Sequence, residues 1–172
     1  THALERGQTW VRFAELGGSP WSIQVGRVAM AERRSWWWDD DLDAVRAQYT
    51  GTSFLLDMAV ARELGRRSSA EDSLPGEARG VTRRMVQGSW LPTRRHRVDG
   101  FLYDERDRSG TPAVGSVVDT EERTDTVDRK ARWFGARAIG EWRFDPVARL
   151  AYWADGATVR AALTRMRARA RA

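Results

Sequence analysis

Acidic residues and a single lysine stand close to two neighbouring apolar segments in the second half of the chain. Asp99 lies near the start of the first segment, and Asp119 and Glu121 end the second. Lys130, the only lysine of the sequence, follows soon afterwards. Carboxylate oxygens are the ligands that Mg²⁺ prefers, and metal-assisted attack by water suits phosphodiester cleavage. The spacing therefore raises the question of whether this segment holds a metal ion.

The elements that must position these residues are predicted from apolar periodicity and turn residues. The predicted strands share alternating or β-branched apolar residues and cover 9–16, 21–30, 96–104, 113–120, 139–145 and 148–155. The predicted helices share a stripe at helical spacing or a capping residue and cover 39–49, 53–64, 126–138 and 156–172. Residues 81–91 are predicted as a short strand or as a passage from helix to strand.

This order of elements predicts an α/β fold, with α+β as the variant, in which helices flank a small mixed sheet. From residue 53 onward the order is αβββαβ, followed by a basic C-terminal helix. We expect residues 53–172 to form this core. Residues 1–52 are predicted to form a β-rich, Trp-containing part that packs against it.

The composition limits the class of protein and its partners. The chain has 172 residues, no cysteine and a formal net charge of +5, which excludes a disulfide framework and favours polyanionic partners. No apolar segment reaches the roughly 20 residues that a membrane-spanning helix needs. The N-terminus lacks the pattern of a signal peptide. We therefore predict a cytoplasmic protein without membrane contact.

The segments His96-Arg97-Val98-Asp99 and Ala113-Val114, together with the final strand and helix, carry a resemblance to a known family. Over roughly residues 54–166 the chain resembles the C-terminal half of actinobacterial replication-relaxation-type proteins of plasmids and phages, which have a PD-(D/E)XK nuclease-like core. The resemblance implies that Asp99 occupies the position of the first metal-binding acid. Gly115 and Val117 stand where the family has glutamates, so the motif is degenerate in this chain.

If the site were active, the resemblance implies shifted roles for its other members. Asp99 and Asp119 would hold Mg²⁺, Glu121 or Glu122 would assist, and Lys130 would orient the attacking water. The degenerate motif favours a protein without nuclease activity, so no cofactor is expected unless Mg²⁺ serves an active endonuclease.

The resulting functional prediction is a DNA-binding protein of a mobile element. The residues predicted to contact phosphate are arginines in two basic clusters, Arg83, Arg84, Arg94, Arg95 and Arg97, and Arg165, Arg167 and Arg169. The alternative is a phage or assembly protein that uses Trp36, Trp37 and Trp38 for an oligomer or a protein partner. A small-ligand enzyme with a Trp-lined pocket is a third hypothesis, for which the sequence offers no catalytic group.

Overall fold

The computed structural model describes residues 6–31, 39–65, 80–108 and 127–165, which form one antiparallel sheet of eight strands. The strands follow one another in chain order across the sheet, so each pairs with its sequence neighbours. Their bounds are β1 (Thr9–Phe13), β2 (Trp21–Ala31), β3 (Asp39–Thr50), β4 (Phe54–Arg62), β5 (Thr82–Thr93), β6 (His96–Arg106), β7 (Val127–Arg143) and β8 (Arg149–Arg165). A single 3-10 turn, Leu16–Gly18, lies between β1 and β2.

The predicted α/β fold is wrong, because the described residues contain no α-helix. Four strands replace the predicted helices: β3 replaces the helix at 39–49, β4 the helix at 53–64, β7 the helix at 126–138, and β8 the described part of the helix at 156–172. In β4 the apolar residues Met58 and Val60 alternate with Ala59 and Ala61 on the other side. Both sides of the strand are therefore apolar there, and this hides the period of two that identifies a strand.

Several local predictions are confirmed. The strands predicted at 9–16 and 21–30 are present as β1 and β2, the strand at 96–104 is β6, and those at 139–145 and 148–155 lie in β7 and β8. The strand predicted at 113–120 lies outside the described residues. The predicted domain boundary after residue 52 falls in the turn between β3 and β4, which pair with each other in the sheet.

The two sides of the sheet differ in exposure. We call the inner face the side that carries Met30, Leu42, Met85 and Tyr103, which form the buried core. Residues that pair directly across strands share a face, so the register assigns the opposite side, the outer face, to Val25, Val45, Val60, Val86 and Leu102. These five residues are all exposed.

The connections between strands differ at the two ends of the sheet. At one end the turns are residues 14–20, 51–53, 94–95 and 144–148. In the last of these Asp145 accepts hydrogen bonds from the backbone N–H groups of Ala148 and Val147 at 2.6 and 2.7 Å, which lower the pKa of its carboxyl group. The connections at the opposite end are residues 32–38, 63–81 and 107–126, and two of them are much longer.

Candidate functional site

The outer face carries a continuous apolar row that crosses all eight strands. Its members pair directly from strand to strand, one from each, in the order Phe13, Ile23, Ala47, Met58, Val86, Leu102, Phe134 and Thr158. All but Thr158 are apolar. Leu102 and Val86 are each 41% exposed, although neither belongs to a turn or a strand end. We call this set the Leu102 row.

Two further rows without any charged residue lie between the Leu102 row and the end of the sheet with the short turns. The first consists of Trp21, Tyr49, Leu56, Gly88, Gly100, Ala136 and Gly156, and the second of Phe54, Trp90, Val98, Ala138 and Ala154. Aromatic rings concentrate toward that end, where Trp21 and Tyr49 lie 5.3 Å apart between ring centroids. An apolar band with an aromatic border therefore covers much of the outer face.

His96 and Tyr152 meet on the outer face across the strand that separates them. Gly140 of β7 pairs with His96 on one side and with Tyr152 on the other. The His96 Nδ1 and the Tyr152 hydroxyl are 2.8 Å apart, and the His96 ring lies 4.7 Å from that of Trp142. Contact across a central strand is possible because glycine has no side chain in the way.

Replacing Gly140 by alanine should separate these two side chains. A Cβ at this position would lie 2.3 Å from His96 Nδ1 and 2.5 Å from the Tyr152 hydroxyl. We expect a loss of about 1–3 kcal/mol in the free energy of unfolding, as for other overpacked sites. Gly100→Ala is the matched control, because nothing lies within 4 Å of its added Cβ on the same face. Urea unfolding followed by tryptophan fluorescence measures both, and equal stability of the two variants would contradict the role of Gly140.

The inner face combines the buried core with paired charges. Arg46 Nε donates to Asp57 at 2.8 Å, and this bond raises the pKa of Arg46. The other pairs on this face are Arg97 with Asp99, Arg83 and Arg129 with Glu105, and Arg137 with Asp155. Five arginines thus face four carboxylates, and most of these side chains are buried or half-buried.

A cleft of about 340 Å³ opens among these polar side chains. Its polar lining includes Arg46, Gln48, Asp57, Gln87, Ser89 and Arg97. Arg97 is held by its bond to Asp99 and by a 2.7 Å hydrogen bond from Nη2 to Ser89 Oγ. Because its wall carries the cations Arg46 and Arg97, the carboxylate of Asp57 and two side-chain amides, the cleft suits water and polar solutes better than an apolar ligand.

The residues predicted to form a metal site do not come together where the structure describes them. Asp99 is buried on the inner face, and it pairs across strands with Arg137. Lys130 is exposed on the outer face and pairs with Arg106. Arg137, the partner of Asp99, and Lys130 are seven positions apart on β7, which is roughly 23 Å at the rise of a strand. Lys130 therefore does not reach a ligand bound at Asp99.

The remaining members of the predicted metal site, Asp119, Glu121 and Glu122, lie outside the described residues, as do Trp36, Trp37 and Trp38. Within residues 6–31, 39–65, 80–108 and 127–165, no three side chains of His, Asp or Glu gather as a metal ion would require. The assignments to Mg²⁺ and to an assembly surface made of these tryptophans stay predictions.

The predicted phosphate-binding arginines are spread over both faces and both ends. Arg94 and Arg95 are exposed in the turn between β5 and β6, whereas Arg97 and Arg83 point to the inner face and bind carboxylates. Arg84 is exposed on the outer face, near the end with the long connections. Arg165 ends β8, and Arg167 and Arg169 lie outside the described residues. The five described members on β5, β6 and the turn between them therefore do not form one basic surface.

Sequence reasoning missed the inner ion pairs and the apolar outer rows. The pairs join residues that are far apart in the chain, such as Arg83 and Glu105 or Arg137 and Asp155. The signal that could have found them is the period of two. In β7, Arg129, Ala131, Trp133 and Arg137 alternate with Phe134, Ala136 and Ala138.

The fold and its two faces define a class of protein: an antiparallel β-sheet whose inner face carries a buried core and paired charges, and whose outer face carries an apolar band beside charged residues. No helix in the described part of the chain is long and apolar enough to cross a membrane. No family model and no curated protein matches the sequence.

Proposed function

We propose that the sheet lies in a membrane, where its outer face contacts lipid acyl chains and its inner face carries the buried core and the paired charges. The observation that carries the proposal is the Leu102 row, which is apolar from β1 to β7 and exposed at Phe13, Val86, Leu102 and Phe134, while the buried ion pairs of Glu105 and Asp99 lie on the opposite side. In an antiparallel sheet beside water the exposed side is normally the polar one. Strands that face lipid have the reverse distribution.

The dimensions of the apolar band support acyl chains as its occupant. On β7 the band extends from Phe134 to Trp142, roughly 27 Å along the strand and about 20 Å across a bilayer at a tilt of about 40°. The apolar zone of proteins that cross membranes with strands is about 25 Å high. A second protein copy would not require a band of this height.

The borders of the band give independent support. Trp21, Trp90, Trp142 and Tyr152 lie toward the end with short turns, as aromatic rings do at a membrane–water interface. Short turns at one end and longer connections at the other are also typical of strands that cross a membrane.

This proposal differs from the sequence-based prediction of a cytoplasmic protein without membrane contact. That prediction rested on the length of apolar segment that a helix needs, and a strand needs only about 9–11 residues with alternating polarity. DNA binding stays an untested prediction. Among its arginines, Arg94 and Arg95 are exposed at the short-turn end.

The test is refolding of the full chain from urea in the presence of phosphatidylcholine vesicles, followed by flotation through a density gradient. We expect the protein to float with the vesicles and to resist extraction by carbonate at high pH. Vesicles of a lipid brominated along its acyl chain should quench the tryptophan fluorescence, because the aromatic side chains lie at the border of the band.

The control is the same chain refolded from urea in buffer without vesicles. Recovery of a monodisperse, folded protein in buffer alone, with no flotation and no quenching, would contradict the proposal. A salt-sensitive shift of duplex DNA by that soluble protein would instead favour the nucleic-acid hypothesis.

A further inference from the structure

A cluster of cations lies on the outer face directly beside the apolar band. We call it the basic outer cluster and define it as Arg84, Arg106, Lys130, Arg132 and Arg160. Arg84, Asp104, Arg132 and Arg160 pair in one row across four strands, and Arg106 and Lys130 pair in the next row. At about 4.8 Å per strand, the first row is roughly 14 Å wide.

The cluster carries more positive charge than its carboxylates balance. Asp104 and Asp128 are the acids on this part of the outer face, against five cations. Asp104 is 8% exposed and accepts from Arg106 Nε at 3.1 Å and from Arg132 Nη2 at 3.0 Å. One buried carboxylate thus orients two guanidinium groups, each of which has five N–H donors.

These side chains surround an open cleft. Its volume is about 280 Å³, and its lining includes Asp104, Arg106, Lys130, Arg132, Arg160, Ala161 and Ala162. Lys130, Arg132 and Arg160 are exposed residues. The four cations Arg106, Lys130, Arg132 and Arg160 around one cleft form a site for a compact anion with several oxygen acceptors.

The position of the cleft indicates where the rest of the ligand lies. The Arg160 guanidinium is 5.8 Å from the centroid of the Phe134 ring, and Phe134 belongs to the Leu102 row. The cationic cleft therefore adjoins the apolar band without a gap. A ligand with a phosphate at one end and apolar chains at the other matches both surfaces.

We propose that the basic outer cluster binds the phosphate of an anionic lipid head group, while the acyl chains of that lipid lie along the Leu102 row. The inference rests on the proposed function, since it requires the outer face to contact lipid. Phosphate at a membrane surface attracts arginine and lysine side chains in the same way. The site would hold one lipid in a fixed place on a surface that other lipids contact transiently.

The experiment is a lipid titration of the full chain in neutral detergent, followed by native mass spectrometry. The probes are dioleoyl phosphatidic acid and dioleoylglycerol, which share their acyl chains and differ in the phosphate. The site variant is Lys130→Gln with Arg160→Gln. The matched control is Arg94→Gln with Arg95→Gln, which removes two exposed cations at the other end of the sheet.

We expect phosphatidic acid to bind at least about ten-fold more tightly than dioleoylglycerol, and the site variant to lose at least about ten-fold of that affinity. The control should bind within two-fold of the unchanged protein. Equal losses in both variants would overturn the proposal, since they would reflect net charge alone. Equal binding of dioleoylglycerol would overturn it as well.

Two further arms identify the source of the phosphate. Displacement of phosphatidic acid by equimolar inorganic phosphate would show a site for the free anion. Displacement by an equimolar short DNA duplex would show a nucleic-acid site. Either result overturns the lipid assignment. Flotation with phosphatidylcholine vesicles separates the two proposals. Flotation without a preference for phosphatidic acid refutes only the head-group site, whereas loss of flotation refutes the membrane proposal itself.

Discussion

Val98→Arg should prevent stable insertion of the sheet into a bilayer. Val98 lies midway along the apolar band, between Trp90 and Ala138, where no neighbour in its row is charged. An arginine on the lipid side of a strand costs about 2–4 kcal/mol at the bilayer midplane. We therefore expect the free energy of folding into phosphatidylcholine vesicles to fall by that amount, measured by urea titration with tryptophan fluorescence.

The same substitution has a different expected result if the outer face is in water. Val98 is 41% exposed, and exchange of an exposed valine for arginine normally changes stability by less than about 0.5 kcal/mol. Val147→Arg is the matched control, because Val147 is apolar and 89% exposed but lies in the turn between β7 and β8. Equal folding of both variants into vesicles would contradict a lipid-facing apolar band.

Glu105→Gln should cause the largest loss among single changes on the inner face. Glu105 is 2% exposed and binds two arginines, Arg83 at 2.9 Å and Arg129 from the next strand. Glutamine keeps the size of the side chain but removes the charge that both guanidinium groups require. Removal of one partner from a buried pair typically costs about 3–5 kcal/mol, and we expect about 3 kcal/mol because Arg129 is half-exposed.

Two comparisons separate the ion pair from general damage to the strand. Glu141→Gln removes a carboxylate that is bonded to Arg143 at the exposed end of β7, and it should leave the unfolding curve unchanged. The double variant Glu105→Gln with Arg83→Gln should recover part of the lost stability, since the cation left without its partner is also removed. If the stability loss of the double variant equals the sum of the losses of Glu105→Gln and Arg83→Gln alone, then Arg83 and Glu105 are not coupled.

The pairing of the β1–β2 hairpin and the strand β6 could be predicted from the sequence because their signals are local. Trp21–Ala31 is rich in β-branched residues and follows a Gly-Gly-Ser-Pro turn, and the conformations of such turns constrain the chain over a few residues. The predicted helices failed where both faces of a strand carry small or apolar side chains. In β8, Ala151, Ala154, Ala157 and Ala161 have high helix propensity, yet pairing with β7 determines the conformation.

Asp99 and Lys130, the two described members of the predicted metal site, stay apart for a related reason. They lie on neighbouring strands but on opposite faces, because side chains alternate along a strand. An assumed helix over 126–138 would have allowed Lys130 to turn toward the acid. A strand with a defined register does not.

What the sequence by itself determined is local: the turns, the alternation within single strands, the excess of arginine over lysine and the absence of thiol chemistry. Only the tertiary structure decided which side of each strand is outermost. A period of two defines two faces without saying which of them meets solvent or lipid. Arg83 and Glu105, or Val86 and Leu102, become neighbours only through the register between β5 and β6. The ion pairs inside and the apolar rows outside follow from that register, because pairing across strands places every second side chain on the same face.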